Sequence, residues 1–466
     1  MNRNWRGLPF NELAVILLLL DVVGFVLAFN ASYMFAIAEW LGVMTVPLFV
    51  VLMAQLVTLY VLDLYTMDER ASRFDTLTRT VFAIVVAGMI TAGFVYITEL
   101  RDTQKLFFRG VLPGGFLLFL VWATVCRYLA TLWVQRFAPR LRWLVISDVS
   151  GESPLCHDLA AVSSFGDMSV LIEDPGKVDS LPENLRSRVR GSYDSIDGAL
   201  EDNWSGIVIA AERSIPERLL RWIMEKRLAG TRIYDLTDFY ERYLLKVPVL
   251  QLRDNWFALS HGFDLIHHSV EMNIKRLLDI ALALLLLVIA SPVMLLAAAA
   301  IKLDRRGKAR GPVLYRQLRT GAHGREFYIY KFRTMVNDAE SQGARWAERN
   351  DSRITRVGSV LRASRLDELP QLWNVLKGEM SFIGPRPERP DFNRELEREI
   401  PYYDLRHLVK PGITGWAQVM YDYGASAEDA LEKLKYDIFY IKNYSLLLDL
   451  FIVLKTLRVI LARRGR

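Results

Sequence analysis

Cysteine is almost missing from this 466-residue chain: only Cys126, inside an apolar run, and Cys156, in a later polar stretch, occur. Two cysteines so placed exclude a disulfide framework and a cysteine-ligated metal, and they suit a reducing compartment. A large excess of one charge is missing as well. The formal net charge of +6 is modest for this length, so its distribution is more informative than its sum. A cleavage site of small residues is also lacking after the first apolar run, which therefore reads as a retained anchor and not a signal peptide.

What the chain has in quantity is apolar sequence. It is 52% hydrophobic and still 24% charged, so the two kinds of residue must be segregated along its length. A membrane protein with substantial soluble parts, long enough for two or three domains, is the expected class.

The apolar runs Leu13–Phe29, Leu41–Leu62, Thr80–Ile97 and Val111–Val134 each approach the ~20 residues that a ~30 Å hydrocarbon core requires. They predict four transmembrane helices within residues 1–137. Arg3 and Arg6 precede the first run, and Arg127, Arg136, Arg140 and Arg142 crowd the end of the fourth. The positive-inside rule then puts both ends of the bundle in the cytoplasm, against a weaker opposing vote from Arg101, Lys105 and Arg109. Asp21 would cost about 2.5–3.5 kcal/mol at mid-membrane, so it is expected to face the bundle interior in a polar contact.

Residues 138–240 alternate between short β-rich runs (Leu141–Ile146, Ser169–Ile172, Gly206–Ala211, Thr231–Leu236) and helical stretches, clearest at Pro216–Ala229. That is the rhythm of a small parallel sheet, hence a Rossmann-like α/β domain. Its first turn, Ser147-Asp-Val-Ser-Gly-Glu-Ser-Pro154, has one glycine where a dinucleotide fingerprint needs three, which favours a structural or regulatory role. Residues 241–270, aromatic and of mixed charge, read as a connector.

A fifth apolar segment, Ile280–Ile301, has Ser291-Pro292 at its centre. Proline removes a helix hydrogen bond there and bends the axis, and the serine hydroxyl can satisfy the freed backbone group. Lys275 and Arg276 lie before the segment, and Lys302, Arg305, Arg306, Lys308 and Arg310 after it. Basic flanks on both sides predict a re-entrant helix over 275–303 that returns to the face it left; an ordinary kinked span is the alternative. Residues 302–334 hold ten Lys/Arg against Asp304 and Glu326, a block that expects phosphate. A nucleic-acid partner is not expected beside a membrane segment.

The C-terminal region carries Lys331-Phe-Arg-Thr-Met335, Arg353-Ile-Thr-Arg-Val-Gly358, Arg365-Leu-Asp-Glu-Leu-Pro370, Gly384-Pro-Arg-Pro387 and Lys410-Pro-Gly-Ile-Thr-Gly-Trp-Ala-Gln-Val419. Pro370 fits the first turn of a helix that Gly378 stops, which places Asp367 and Glu368 at or just before a helix N-terminus. Pro385 and Pro387 fix the backbone around Arg386, as suits a guanidinium that meets phosphate in one geometry. Gly412 and Gly415 would let the backbone turn close to a ligand. Taken singly, each motif also reads as a surface turn with a solvated charge.

In this order the motifs resemble the bacterial polyprenyl-phosphate sugar-1-phosphate transferases, the monotopic phosphoglycosyl transferase superfamily, over residues 271–466. The four preceding helices and Rossmann-like module, and the connector with Phe239-Tyr-Glu-Arg242, Lys246-Val-Pro-Val249, Trp256 and Gly262-Phe263, are similar to the large membrane-anchored exopolysaccharide branch of that superfamily. The resemblance implies a mainly α catalytic domain at 271–466 in which Asp367 is the nucleophile and Glu368 its partner. It also implies Mg²⁺ at Asp367 and Glu368, Ser291 and Pro292 as the break of the re-entrant helix, and Arg386 near the nucleotide sugar. Lys331, Arg333, Arg353 and Lys410 join Arg386 as expected substrate-binding cations, because two anionic substrates need positive charge to meet. The expected partners are a UDP-sugar, undecaprenyl phosphate and the lipid bilayer, with the catalytic domain on the cytoplasmic face of the bacterial inner membrane. Leu446–Leu461 reads as an interfacial helix. The sequence leaves open which sugar is transferred and the oligomeric state, a homodimer included. A glycosyltransferase that releases UDP, and a membrane scaffold or regulator of polysaccharide synthesis, are the rival functions.

Overall fold

The computed structural model describes residues 12–40, 45–62, 64–65, 73–97, 110–137, 142–148, 167–181, 183–193, 204–211, 215–252, 256–260, 262–263, 269–304, 311–336, 351, 353–421, 424 and 426–461. The described residues divide into two compact units, one within residues 8–139 and one within residues 140–466.

The first unit consists of α1 (Glu12–Ile37), α2 (Val46–Val61), α3 (Arg73–Ile97) and α4 (Val111–Phe137). Thr45, in extended conformation, caps α2 by accepting a hydrogen bond from the Leu48 N–H, and Pro47 occupies the first turn, where its missing N–H costs nothing. Phe25, Phe29, Phe116 and Phe119 interlock between α1 and α4. A Cβ at Gly24 would lie 2.0 Å from Trp122 Nε1, so that glycine admits the indole whose Nε1 donates to the Leu20 carbonyl at 3.0 Å. Three of these helices contain stretches long and apolar enough to cross a membrane, and α2, at 16 residues, is shorter.

Asp21 does face the interior. Arg127 holds it in a two-point bond, Nη1 to Oδ1 at 2.9 Å and Nη2 to Oδ2 at 2.8 Å, and the Tyr65 hydroxyl donates to Oδ2 at 2.8 Å. Both charged side chains are fully buried. Arg127 is thus the partner of Asp21 and drops out of the flanking charge that orients the bundle.

The second unit begins with β1 (Arg142–Ser147), β2 (Asp167–Ile172), β3 (Val189–Ser192), β4 (Gly206–Ile209), α5 (Glu217–Leu228) and β5 (Arg232–Asp235). The five strands are parallel in the order β3-β2-β1-β4-β5. β1 alternates its side chains between two cores: Trp143 and Val145 pack with Tyr234 and Phe239, and Leu144 and Ile146 pack with Leu219, Trp222 and Ile223. A parallel sheet covered on both faces reads as nearly continuous apolar sequence, which is why β1 is buried almost throughout.

The connector docks on the C-terminal region. Glu241 pairs with Lys442 and Lys246 with Glu432, Trp416 Nε1 donates to the Leu245 carbonyl at 2.9 Å, and the Phe263 N–H donates to the Lys442 carbonyl at 2.9 Å.

Helix α6 (Ser269–Leu303) is continuous through Pro292. Proline cannot donate to the Val288 carbonyl four residues earlier, and the Ser291 hydroxyl does so instead at 2.9 Å. Leu284, Leu285, Val288, Ile289, Leu295 and Leu296 are exposed. Both ends of α6 are held by the same region of the unit. Lys275 pairs with Asp449 at 2.7 Å, Arg276 donates to the carbonyls of Val375 and Leu376, and Asp279 accepts from Ser381 and from the Phe382 N–H. At the other end Ala297 and Ile301 pack on Phe332 and Leu361.

Beyond α6 come the antiparallel hairpin β6 (Leu314–Thr320) and β7 (Glu326–Phe332), α7 (Arg356–Ala363), α8 (Leu372–Lys377), β8 (Ser381–Ile383), α9 (Pro390–Glu399), β9 (Gly412–Thr414), α10 (Trp416–Met420), α11 (Ala427–Lys442) and α12 (Leu446–Leu461). β8 and β9 pair in parallel. Gly412 and Gly415 were expected to bring backbone close to a ligand; they bring it close to other backbone. A Cβ at Gly412 would lie 2.2 Å from Gly384 N, and one at Gly415 2.1 Å from Gly384 O.

Candidate active site

The dyad stands on a 3₁₀ turn, Leu366–Gln371, that leads directly into α8. Arg365 opens the turn in the left-handed region at φ 58°, and Gly378 ends α8 at φ 84°, a conformation glycine adopts without strain. With three residues per turn, neighbouring side chains diverge by about 120°. Asp367 and Glu368 therefore meet different surroundings.

Glu368 is surrounded by cations. Arg386 Nη2 donates to Oε1 at 2.7 Å, Lys331 Nζ donates to the same oxygen at 3.2 Å, and Arg365 Nη1 lies 3.8 Å from Oε2. Burial alone would push this carboxyl up, but Arg386, then Lys331 and Arg365, outweigh it and hold the group well below the usual range. Asp367 is 8% exposed, and among the described residues no donor sits on its carboxylate. Burial first, then the neighbouring Glu368 charge, raises its pKa against the pull of Lys331, Arg362 and Arg386. Burial likewise lowers the pKa of Lys331.

The five expected cations do not all gather at the dyad. Lys331 and Arg386 do. Arg353 pairs with Asp351, Nε to Oδ1 at 2.8 Å; Arg333 is buried and faces Asp304 near the end of α6; Lys410 lies beside Arg276 and Asp279 of α6. Three neighbours were not singled out from sequence: Arg365 on Glu368, Arg362 facing Asp367, and Gln418, whose Oε1 accepts from Arg386 Nη1 at 3.4 Å. Arg365 opens the dyad stretch and Gln418 lies within the Lys410–Val419 motif, whereas Arg362 lies outside both.

Among the described residues no three His, Cys, Asp or Glu side chains group as metal ligands. Mg²⁺ commonly takes only one or two protein carboxylates and completes its shell with water and substrate phosphate. An undonated Asp367 beside Glu368 fits that pattern.

The candidate site thus combines a carboxylate pair of unequal environment with cations that converge on one of its members, next to a long apolar helix. The model of the bacterial sugar transferase family matches residues 270–463, and the chain belongs to that family. It is 44% identical over 245 residues to the UDP-N-acetylgalactosamine-undecaprenyl-phosphate N-acetylgalactosaminephosphotransferase of Aeromonas hydrophila, covering 53% of this chain and 56% of that one. A UDP-glucose:undecaprenyl-phosphate glucose-1-phosphate transferase of Xanthomonas campestris is 39% identical, with 56% and 53% covered. One of the same description from Caulobacter vibrioides is 44% identical over 201 residues, with 43% of this chain and 73% of that one covered. The chain thus spans little more than half the length of the first two relatives.

Proposed function

We propose that this chain transfers a sugar-1-phosphate from a UDP-sugar to undecaprenyl phosphate and releases UMP, as the first membrane step of exopolysaccharide or O-antigen assembly. The observation that carries the reading is the asymmetry of the dyad, a Glu368 ringed by cations next to an Asp367 carboxylate that, among the described residues, accepts no hydrogen bond. A carboxylate free of donors keeps its lone pairs for a nucleophilic role.

In this mechanism an Asp367 oxygen attacks the sugar-bearing phosphorus, and the bond from that phosphorus to the bridging oxygen breaks. UMP leaves with the bond's electron pair, and an aspartyl phosphate bearing the sugar remains. A phosphate oxygen of the lipid then attacks the same phosphorus and restores the Asp367 carboxylate. Arg386 and Lys331 offset the charge that builds up as two anions approach, and Glu368 keeps both cations in place. Asp367 and Glu368 would hold Mg²⁺, which supplies Lewis-acid stabilisation of phosphate charge when bound.

The hold on both ends of α6 supports a re-entrant membrane helix: the two ends meet one domain, and the exposed apolar middle is left for lipid. Such a helix keeps the site at the headgroup level on the cytoplasmic face of the inner membrane. The sheet order of β1–β5 is that of doubly wound α/β folds, which supports a Rossmann-like module of structural or regulatory role. The test is an assay of the purified full chain with undecaprenyl phosphate and a panel of UDP-sugars. Formation of UMP and a lipid diphosphate sugar is expected; UDP as the nucleotide product would overturn the reading in favour of a plain glycosyltransferase.

A further inference from the structure

The partly buried Arg319 and the buried Arg406 take no part in that mechanism, and neither donates to Asp367 or Glu368. Their donors go to the turn that carries Arg386. A Pro-Arg-Pro segment has only one backbone N–H, so it can be tied down almost solely through its carbonyls. All of those carbonyls are taken, each from a different element. The Pro385 carbonyl accepts from the Gly412 N–H of β9 at 2.9 Å. The Arg386 carbonyl accepts from Arg406 Nη2 at 3.0 Å, and the Pro387 carbonyl from Arg319 Nη1 of β6 at 3.0 Å. The next carbonyl, of Glu388, accepts from the Thr320 N–H at 3.0 Å.

The guanidinium groups are themselves oriented. Arg319 Nη2 donates to Gln317 Oε1 at 2.6 Å, and Arg319 Nη1 also reaches Glu388 at 3.4 Å. Arg406 pairs with the buried Asp437 at 2.9 Å and donates to the Tyr403 hydroxyl. We propose that Arg319 and Arg406 are positioning residues, which hold the backbone of the turn so that the half-buried Arg386 side chain lands on Glu368 Oε1. The kinetic arm of this inference rests on the proposed transferase reaction; its structural arm does not.

The test uses the full chain in detergent with Arg319→Gln, and with Arg406→Lys as a second variant that keeps the buried charge opposite Asp437. Hydrogen exchange followed by mass spectrometry should rise in peptides covering 384–388 and 365–371, with α11 as protected as before. In the kinetic arm Arg319→Gln should lower kcat/KM about tenfold, the size of one charge-assisted hydrogen bond, and Arg319→Lys should recover part of it. The double variant Arg319→Gln/Arg386→Ala should be no slower than Arg386→Ala alone, because Arg319 acts through Arg386. Unchanged exchange at 384–388 in both variants, or fully additive kinetic losses, would overturn the brace. A chain inactive towards every UDP-sugar would refute the proposed reaction and leave the exchange result to decide the brace.

Discussion

Two arginine–carboxylate sites, one in each compact unit, use the same chemistry to different ends. In the helical bundle Arg127 meets Asp21 through two bonds, both side chains are fully buried, and Tyr65 takes a further position on the carboxylate. In the C-terminal region Arg386 meets Glu368 through one oxygen, the arginine is 33% exposed, and Asp367 stands next to the pair with no donor among the described residues. A closed pair can only hold structure, because its charges are already spent on one another. An open pair with a carboxylate beside it can receive a ligand, and in the proposed reaction this open pair is the one that does chemistry.

The sharpest way to break that contrast is Asp367→Asn, which keeps size and loses charge. Sugar-phosphate transfer should fall by several orders of magnitude while the thermal midpoint moves little; near-normal turnover would mean the free carboxylate is not the nucleophile. Glu368→Gln should come next, with a slower rate and a weaker dependence on Mg²⁺, measured by titrating the ion against initial rate.

Removing Arg127 tests the closed side. Arg127→Leu should destabilise the detergent-solubilised chain by about 3–5 kcal/mol because it strands the Asp21 charge, and a further Asp21→Leu should return much of that. A catalytic loss with unchanged stability would show that the bundle pair is more than structural.

The pH dependence should be smaller and still diagnostic. Asp367 has a raised pKa, so the folded enzyme binds its proton above the ordinary aspartate range, and activity should drop on the acid side at a pH above 3.8. Glu368 is held low and stays ionised through that window. Arg386→Ala removes a cation that lowers both groups, so the acid limb of the rate profile should move to higher pH. The smallest change is expected from Pro292→Ala, which restores an N–H to the Val288 carbonyl where the Ser291 hydroxyl now donates, with a partial loss of activity. Wild-type activity would show that Pro292 has no role in the reaction.

Local signals were legible in the sequence and distant ones were not. Pro370 and Gly378 marked the short element that carries the dyad, because proline and glycine constrain their own backbone. Ser291 and Pro292 announced their joint arrangement for the same reason. The Asp21 and Arg127 pair joins residues far apart in the chain, so Arg127 read as a flanking charge. Gly412 and Gly415 signalled close approach correctly, but the requirement for a missing Cβ does not say whether ligand or backbone comes near, and here it is Gly384. Charge alone did not tell Lys331, which reaches Glu368, from Arg353, which Asp351 captures, or from Lys410, which lies beside Arg276. The three carbonyl bonds to the Pro-Arg-Pro turn depend on tertiary placement and left no local trace.

The central claim is that Asp367 carries the sugar phosphate between two substrates. Incubating the full chain with Mg²⁺ and a radiolabelled UDP-sugar, without lipid, should release UMP and leave label on a peptide that contains Asp367, and later addition of undecaprenyl phosphate should discharge it. Absence of any adduct together with UMP release only when the lipid is present, or an adduct that survives in Asp367→Asn, would contradict it.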